Sequence, residues 1–531
     1  MRRLLIPALL VAVGLSGIGS ADAAILVGTP GPDRLNGTSR ADQLYGLGGN
    51  DRLQGRAAGD LLDGGLGRDL LFGGGGADGL VSNGDRRTDT VACGSARDIV
   101  NADLRDRVTG DCETVSRQLS RDSGTSLEAQ HETQVEPDSF SFGSTIVTVF
   151  QSGRFAIGGA ESNGFATSKN GARTWRSGRL PGLSSFSAVS DPVVGYDALR
   201  GWWLAASLGS TFSTTAIVVN RSRDGLAWRG PVDVARGRDE YDKEWIVCDN
   251  WSSSRFRGRC YVSYMNFTDD TIETRRSTDG GRTWSAPAAI DASGSQAIVN
   301  GVQNVVRPNG NLLLVFSVFG ALDGNEIAAA RSTDGGLTFG APAQIASLEG
   351  SEVSWFRAPP FASADVDAAG TVYVTWRDCR FSQACSSDIL LAASRDGMEW
   401  TEPTSIPIGF GDAYHFVPAI AVDPATSGAS ARIAVLYHSI VPSVNCEPEC
   451  IEVNVKLTSS RDGGTTWTPP ARLNAVAMRP HWMADTSLGR MLGDYVSVSW
   501  VRGRPVPVFS LAAPPSGETF RQAIFATTRV R

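Results

Sequence analysis

Six aspartates, Asp33, Asp42, Asp51, Asp60, Asp69 and Asp78, recur every nine residues, and each is followed two positions later by a leucine: Leu35, Leu44, Leu53, Leu62, Leu71 and Leu80. Carboxylates are hard anionic oxygens, the donors Ca²⁺ takes in sets of about six to eight. Glycines fill many of the first five positions of each unit and allow the left-handed angles that turn carbonyl oxygens toward a common centre. The Asp-x-Leu alternation is that of a short strand. Stacked units would bury the leucines in a narrow core and hold cations between turns. Without a cation the carboxylates would repel one another, so the six aspartates are the expected metal ligands and Ca²⁺ the expected cofactor.

The units GLGGNDRLQ (46–54) and GGGGADGLV (73–81) resemble the RTX, or haemolysin-type, calcium-binding repeat. That resemblance implies a parallel β-roll that forms on binding calcium, over residues 24–82. Two units depart from the pattern, with Arg40 and Ala58 where glycine is usual, and weak or no binding is expected there. Residues 83–118 lose the nine-residue period and are expected to cap the roll, closed by Cys93 and Cys112; residues 119–130 are expected to be a linker.

Beyond residue 131 the pattern changes to runs such as TIVTVF, NLLLVFSVF and TVYVTW, whose β-branched and aromatic residues mark strands. A second motif punctuates them: SKNGARTW, SRDGLAW, STDGGRTW, STDGGLTF, SRDGMEW and SRDGGTTW, ending at Trp175, Trp228, Trp284, Phe339, Trp400 and Trp467. Asp or Asn accepts hydrogen bonds from the backbone that follows, Gly takes positive φ, and the aromatic packs beneath the turn. This resembles the Asp-box, or BNR, motif of sialidase-like β-propellers. The resemblance implies a propeller over residues 131–531, with one motif per four-stranded blade. Three more strands follow Gly489 without the motif, so seven blades are expected, the last completed by an earlier segment; six is the alternative. The expected fold class is therefore all-β, a short parallel β-roll followed by a propeller.

Arg2 and Arg3, the apolar run from Leu4 to Leu15 and the small residues Ala21 and Ala23 read as a secretory signal over residues 1–23, with cleavage before Ala24 and an extracellular destination. No later stretch reaches the ~20 apolar residues of a spanning helix. Eight cysteines fall in four local couples, Cys93 with Cys112, Cys248 with Cys260, Cys379 with Cys385 and Cys446 with Cys450. In an oxidising compartment these are expected to be disulfides; the four histidines lack the spacing of a zinc site. A net charge of -7 argues against a nucleic-acid partner. A monomer is expected.

The residues that precede the innermost strands of a propeller gather at one mouth of its channel. Here they are Glu132, Asp191, Asp242, Lys243, Glu244, Gln303, Arg357, His415, Asp494 and Tyr495. Any one could be structural; convergent polar groups in a concavity are the usual mark of a binding site. The segment FRAPPFASADVDAAGTVYVTWRDCR, followed by Asp388, resembles the Phe-Arg-Ile-Pro segment of sialidases and its downstream Arg and Asp. The resemblance implies Arg357 and Arg380 as carboxylate binders, a task suited to bidentate guanidinium pairing, and Asp388 as acid/base. Ala358 stands where the family has Ile, and the segment falls in the fifth expected blade, whereas the family places it near the start. A third possibility is a glycosidase using Asp242 and Asp494, which would need carboxyls roughly 5–9.5 Å apart. The blade order is closer to that of secreted bacterial BNR propellers, with segments like YDKEWIVCD and LGDYVSVSW, for which no reaction is implied. The expected function is calcium binding together with recognition of an extracellular glycan or another surface polymer; exo-sialidase activity is the alternative.

Overall fold

The computed structural model describes residues 23–291, 297–321, 324–350, 353, 355–382, 385–409, 413–441 and 450–530. Residues 1–22 of the expected signal lie outside them, as does Cys446. The disulfides Cys93–Cys112, Cys248–Cys260 and Cys379–Cys385 are formed. Among the described residues no helix is long and apolar enough to cross a membrane.

The N-terminal repeats form two parallel sheets back to back. Ile25–Val27, Gln43–Tyr45, Leu61–Asp63 and Gly79–Ser82 pair in one sheet; Arg34–Asn36, Arg52–Ala57 and Leu70–Gly75 pair in the other. Alternate nine-residue units therefore go to alternate sheets. Leu44, Leu53, Leu62, Leu71 and Leu80 meet between the sheets and are fully buried. Each unit alone buries too little to be stable, so its order depends on its neighbours.

Residues 83–118 differ from the expected cap. They prolong both sheets, with Thr90–Ser95 and Arg107–Val108 added to one, and Ile99–Ala102 and Thr114–Gln118 added to the other. The reason is that Val91 and Val100 take over the leucine positions of the core, joined by Cys93 and Cys112. Residues 119–130 are not simply a linker either. Leu119 is buried and its N–H bonds the Ile524 carbonyl, while Ser120 Oγ accepts from the Ile524 N–H at 2.7 Å.

The rest of the described chain forms antiparallel four-stranded sets. Their first strands are Gln130–Phe142, Ala188–Asp197, Tyr241–Cys248, Ile298–Val306, Ser363–Val366, Tyr414–Val422 and Ser497–Val501. Each first strand contacts the next, and the last contacts the first, so the sets surround a central channel. The final set has only three strands from the C-terminal region. Thr114–Gln118 completes it, antiparallel to Thr519–Arg529, while its other edge pairs in parallel with Ile99–Ala102 of the roll. One strand thus makes the roll and the ring of sheets a continuous hydrogen-bonded structure.

The Ser-x-Asp-Gly turns join third to fourth strands. In one of them Asp279 Oδ1 accepts the N–H groups of Arg282 and Thr283 at 2.9 and 3.0 Å, and its Oδ2 accepts from Thr283 Oγ1 at 2.7 Å. These bonds outweigh desolvation and hold the Asp279 carboxyl down at about 2. Asp279→Ala should cost about 1.5–3 kcal/mol in urea unfolding, the range for bonds to a charged acceptor, without altering the rest of the ring.

Candidate functional site

Each buried aspartate of the roll spends one oxygen on the backbone two turns away. Asp51 Oδ1 accepts the Asp33 N–H, Asp60 the Asp42 N–H, Asp69 the Asp51 N–H and Asp78 the Asp60 N–H, at 2.7–2.8 Å. The other oxygen, Oδ2, is buried without a partner at Asp51, Asp60, Asp69 and Asp78. A Cβ on Gly55 would overlap both Asp60 Oδ2 and the Gly73 carbonyl oxygen, so glycine here leaves a cradle between two oxygens. Burial, reinforced by neighbouring aspartates, pushes Asp69 up to about 6 and Asp78 up to about 7. Unpaired anionic oxygens beside carbonyls, with a cost for standing uncompensated, suit a hard divalent cation. Among the described residues no three His, Cys, Asp or Glu cluster as a ready metal centre. The oxygens available to a cation are instead one carboxylate per turn with backbone carbonyls.

Asp33 and Asp42 differ from the other four. Asp33 Oδ2 accepts the Thr29 N–H at 2.6 Å, and Asp42 Oδ2 accepts the Thr38 N–H and hydroxyl. Threonine, standing where the later units carry other residues, satisfies the oxygen a cation would take. The departure at Ala58 has less effect: its φ is 70°, so the turn keeps its left-handed geometry despite the side chain.

In the ring of sheets, five of the first strands slip register at a bulge whose leading residue has positive φ: Glu136, Asp191, Lys243, Gly301 and Val417. Bulges re-aim side chains. Since Val417 adopts the same conformation, the bulge belongs to the architecture, and only three of these positions use it to bring charge inward. Lys243 Nζ lies 2.6 Å from Asp191 Oδ1, 2.7 Å from Asp494 Oδ2 and 3.5 Å from Glu136 Oε1. Arg357 clamps Asp494 with Nε to Oδ1 at 2.8 Å and a terminal nitrogen to Oδ2 at 2.5 Å. Gln151 holds the other Glu136 oxygen and is itself held by Arg154. The cavity at this mouth is only about 30 Å³.

Carboxyls outnumber cations in the cluster, so some keep their protons. Burial pushes Glu136 and Asp242 upward, and raises Glu244 well above the usual range; neither Glu244 oxygen has a hydrogen-bond partner. Asp494 goes the other way: against desolvation, Lys243 and Arg357 hold it well below the ordinary range. Lys243 is raised, its three carboxylates outweighing burial.

A protein-family model described as the RTX calcium-binding nonapeptide repeat (4 copies) matches residues 27–62, 45–80 and 54–88. The N-terminal segment carries RTX calcium-binding repeats. No curated protein matches the sequence. Solved structures similar to this chain include an α-L-arabinofuranosidase from Fusarium graminearum, at 14% identity over 70% of this chain and 98% of that one with TM-score 0.42. An ulvan lyase is similar at 9% identity over 75% and 94%, TM-score 0.44, and a Hadza microbial sialidase at 13% over 78% and 92%, TM-score 0.40.

With the RTX repeats placed, the other expected site residues fall into four groups. Asp191, Asp242, Lys243, Glu244, Arg357, Asp494 and Tyr495 share the cluster, and the Tyr495 hydroxyl donates to the Pro192 carbonyl. Gln303 and His415 serve neighbouring strands. Gln303 Oε1 accepts the Ala364 N–H at 2.9 Å, and buried His415 contacts the Ser387 carbonyl through Nδ1 at 3.0 Å. Arg380 and Asp388 lie elsewhere: Arg380 is engaged by Asp378, which pairs across the strands with Asp388. The two arginines of the sialidase resemblance therefore serve different carboxylates. Glu132 lines a cleft of about 830 Å³ between roll and ring, together with Tyr45, Asp63, Arg121, Trp482, Phe520 and Arg521.

Glu136 and Asp138 are absent from the sequence reading. A usable signal was present, since Glu136-Pro137, Asp191-Pro192 and Val417-Pro418 place proline inside strand patterns, where it marks bulges. Asp138 lines a second channel cavity of about 370 Å³ with Asp365. Asp138 Oδ2 accepts the Val194 N–H at 2.8 Å and Asp365 Oδ2 the Val422 N–H at 2.7 Å, so both satisfy the open edge of the next strand.

These buried groups set a pH dependence. Burial pushes Asp138 up to about 7 and Asp365 up to about 6, and raises Glu136, Asp242 and Glu244. A raised carboxyl contributes stability that is present below its ordinary pKa and lost as pH rises through its folded value. Burial lowers His415 to about 4 and His438 to about 3, which acts oppositely, removing stability in acid. Five raised carboxyls outnumber two histidines, so stability in saturating calcium should fall between about pH 5 and 8. All 13 tryptophans, from Trp175 onward, lie beyond residue 131, so urea midpoints read by tryptophan emission report chiefly the ring. A flat or rising profile contradicts this.

Proposed function

We propose that the protein is exported and uses its sialidase-like propeller, with the calcium-loaded RTX roll, to bind an extracellular glycan. The observation that carries this reading is how the charged cluster is used. Lys243 is committed to three carboxylates and Arg357 to Asp494, around a cavity of about 30 Å³. A sugar ring does not fit there. The cleft of about 830 Å³ between roll and propeller is within the range of ligand sites. Half-buried Tyr45, Trp482 and Phe520 offer faces for sugar rings, and Asp63, Glu132, Arg121 and Arg521 offer hydrogen bonds to hydroxyls. One wall belongs to the roll, so the site depends on calcium.

The second reading, an exo-sialidase, is favoured by the company Tyr495 keeps: Glu244, Asp191 and Glu136 all raise the buried phenol, after burial itself. A Tyr with a Glu is the nucleophile pair that the family resemblance implies. A fluorogenic sialoside assay beside a glycan array separates the two. Binding without turnover is expected, with Trp482→Ala and Tyr45→Ala each weakening retention about tenfold, the loss of one aromatic contact of ~1.4 kcal/mol. Turnover abolished by Arg357→Ala would overturn it.

A further inference from the structure

The row of unpaired carboxylate oxygens continues where the nine-residue repeat stops. Asp89 and Asp98 are 1% and 0% exposed. Their Oδ1 atoms accept the N–H groups of Asp69 and Asp78 at 2.8 Å, and their Oδ2 atoms are buried without a partner. This is the arrangement of Asp51 to Asp78, in turns that keep only Gly84 and Gly94 of the repeat's glycines. The carbonyl oxygen of Cys93 joins Asp78 Oδ2 around Gly73, as the Gly73 carbonyl joins Asp60 Oδ2 around Gly55. The row then ends abruptly. Asp106 Oδ2 accepts from Ser82 Oγ at 2.9 Å and from the Asp103 N–H at 2.7 Å, which leaves nothing for a cation.

We propose that Asp89 and Asp98 each contribute to a calcium site, so that the cation-bearing turns run from Asp51 to Asp98, and that their occupancy governs closure of the propeller. The proposal rests on the reading of the RTX repeats as calcium-loaded. The link to the propeller is short. The Asp98 carbonyl accepts the Thr114 N–H at 3.0 Å, and Glu113 Oε2 accepts the Asp98 N–H at 3.1 Å. Thr114 begins the strand that completes the last set. Val115 of that strand packs in the leucine core of the roll, and Ser116 Oγ meets Thr527 Oγ1 across the pairing at 2.9 Å. A cation that fixes Asp98 therefore fixes the register of Thr114–Gln118 against Thr519–Arg529. Without it the last set keeps three strands and an open edge.

The full-length protein tests this with two readouts, ⁴⁵Ca equilibrium dialysis and the urea midpoint of tryptophan emission, whose reporters all belong to the propeller. Calcium should raise the wild-type midpoint. Asp98→Asn keeps the volume and the Oδ1 acceptor, and should lose at least one bound calcium and half or more of the calcium-induced shift. Asp33→Asn should lose neither. Asp89→Asn gives the same comparison if Asp98→Asn fails to fold. Wild-type stoichiometry in the Asp98 and Asp89 variants, or a wild-type midpoint indifferent to calcium, overturns the proposal alone. A wild type that binds no calcium overturns the calcium reading as well.

Discussion

Lys243→Met should destabilise the propeller by about 3–5 kcal/mol, the cost of removing one partner from a buried charge network. Lys243 is 7% exposed, and it stands between Asp191, Asp494 and Glu136, which are 5%, 3% and 1% exposed. Removing the ammonium leaves Arg357 as the remaining cation on Asp494, and Asp191 loses the salt bridge that offsets its burial. Methionine fills a similar volume, so the loss is electrostatic rather than a cavity. Part of it is recoverable by protonation, so the deficit should be smaller at pH 5 than at pH 8. Urea unfolding followed by tryptophan emission measures it; a change below about 1 kcal/mol would mean that the carboxyls already hold enough protons to do without the lysine.

Chelation of calcium should unfold the roll. Six buried Oδ2 atoms, on Asp51, Asp60, Asp69, Asp78, Asp89 and Asp98, have no protein partner. At about 1–3 kcal/mol for each unsatisfied buried group, and more for charged ones, their sum is comparable to the about 5–15 kcal/mol that stabilises a whole domain. The leucine column and the Cys93–Cys112 bridge form too small a core to absorb that. Limited proteolysis in EGTA should place the first cuts within residues 23–118, with calcium protecting them. Identical cleavage patterns with and without calcium would refute it.

The legible parts of the fold were those in which one residue type repeats in phase. Asp33 to Asp78 and their leucines hold a nine-residue period without a slip, and the roll follows from it. The continuation through Asp89 and Asp98 was hidden because Asp89 comes eleven residues after Asp78, Asp106 eight after Asp98, and valine replaces leucine in the core. Whether an aspartate oxygen is free is not a property of the period. Thr29 and Thr38 occupy Asp33 and Asp42, a local hydrogen bond the repeat pattern does not encode.

In the propeller, the rule that residues before first strands converge named Asp191, Lys243 and Asp494, and Lys243 contacts both aspartates, although Asp191 and Lys243 sit at bulges inside their strands. The rule could not tell that they would neutralise one another, since Lys243 and Asp494 meet only after the ring closes. Glu136 was missed although Pro137 interrupts its strand pattern, because the bulge that turns it inward is a backbone event. Arg357 and Arg380 are neighbours in a motif, but strand pairing sends them to Asp494 and Asp378.

The most direct test of the account is glycan-array binding by the full-length protein in millimolar calcium and again in EGTA. Retention of one or a few related glycans in calcium, lost in EGTA, is the result it predicts. No retention in calcium, or equal retention in EGTA, would contradict it.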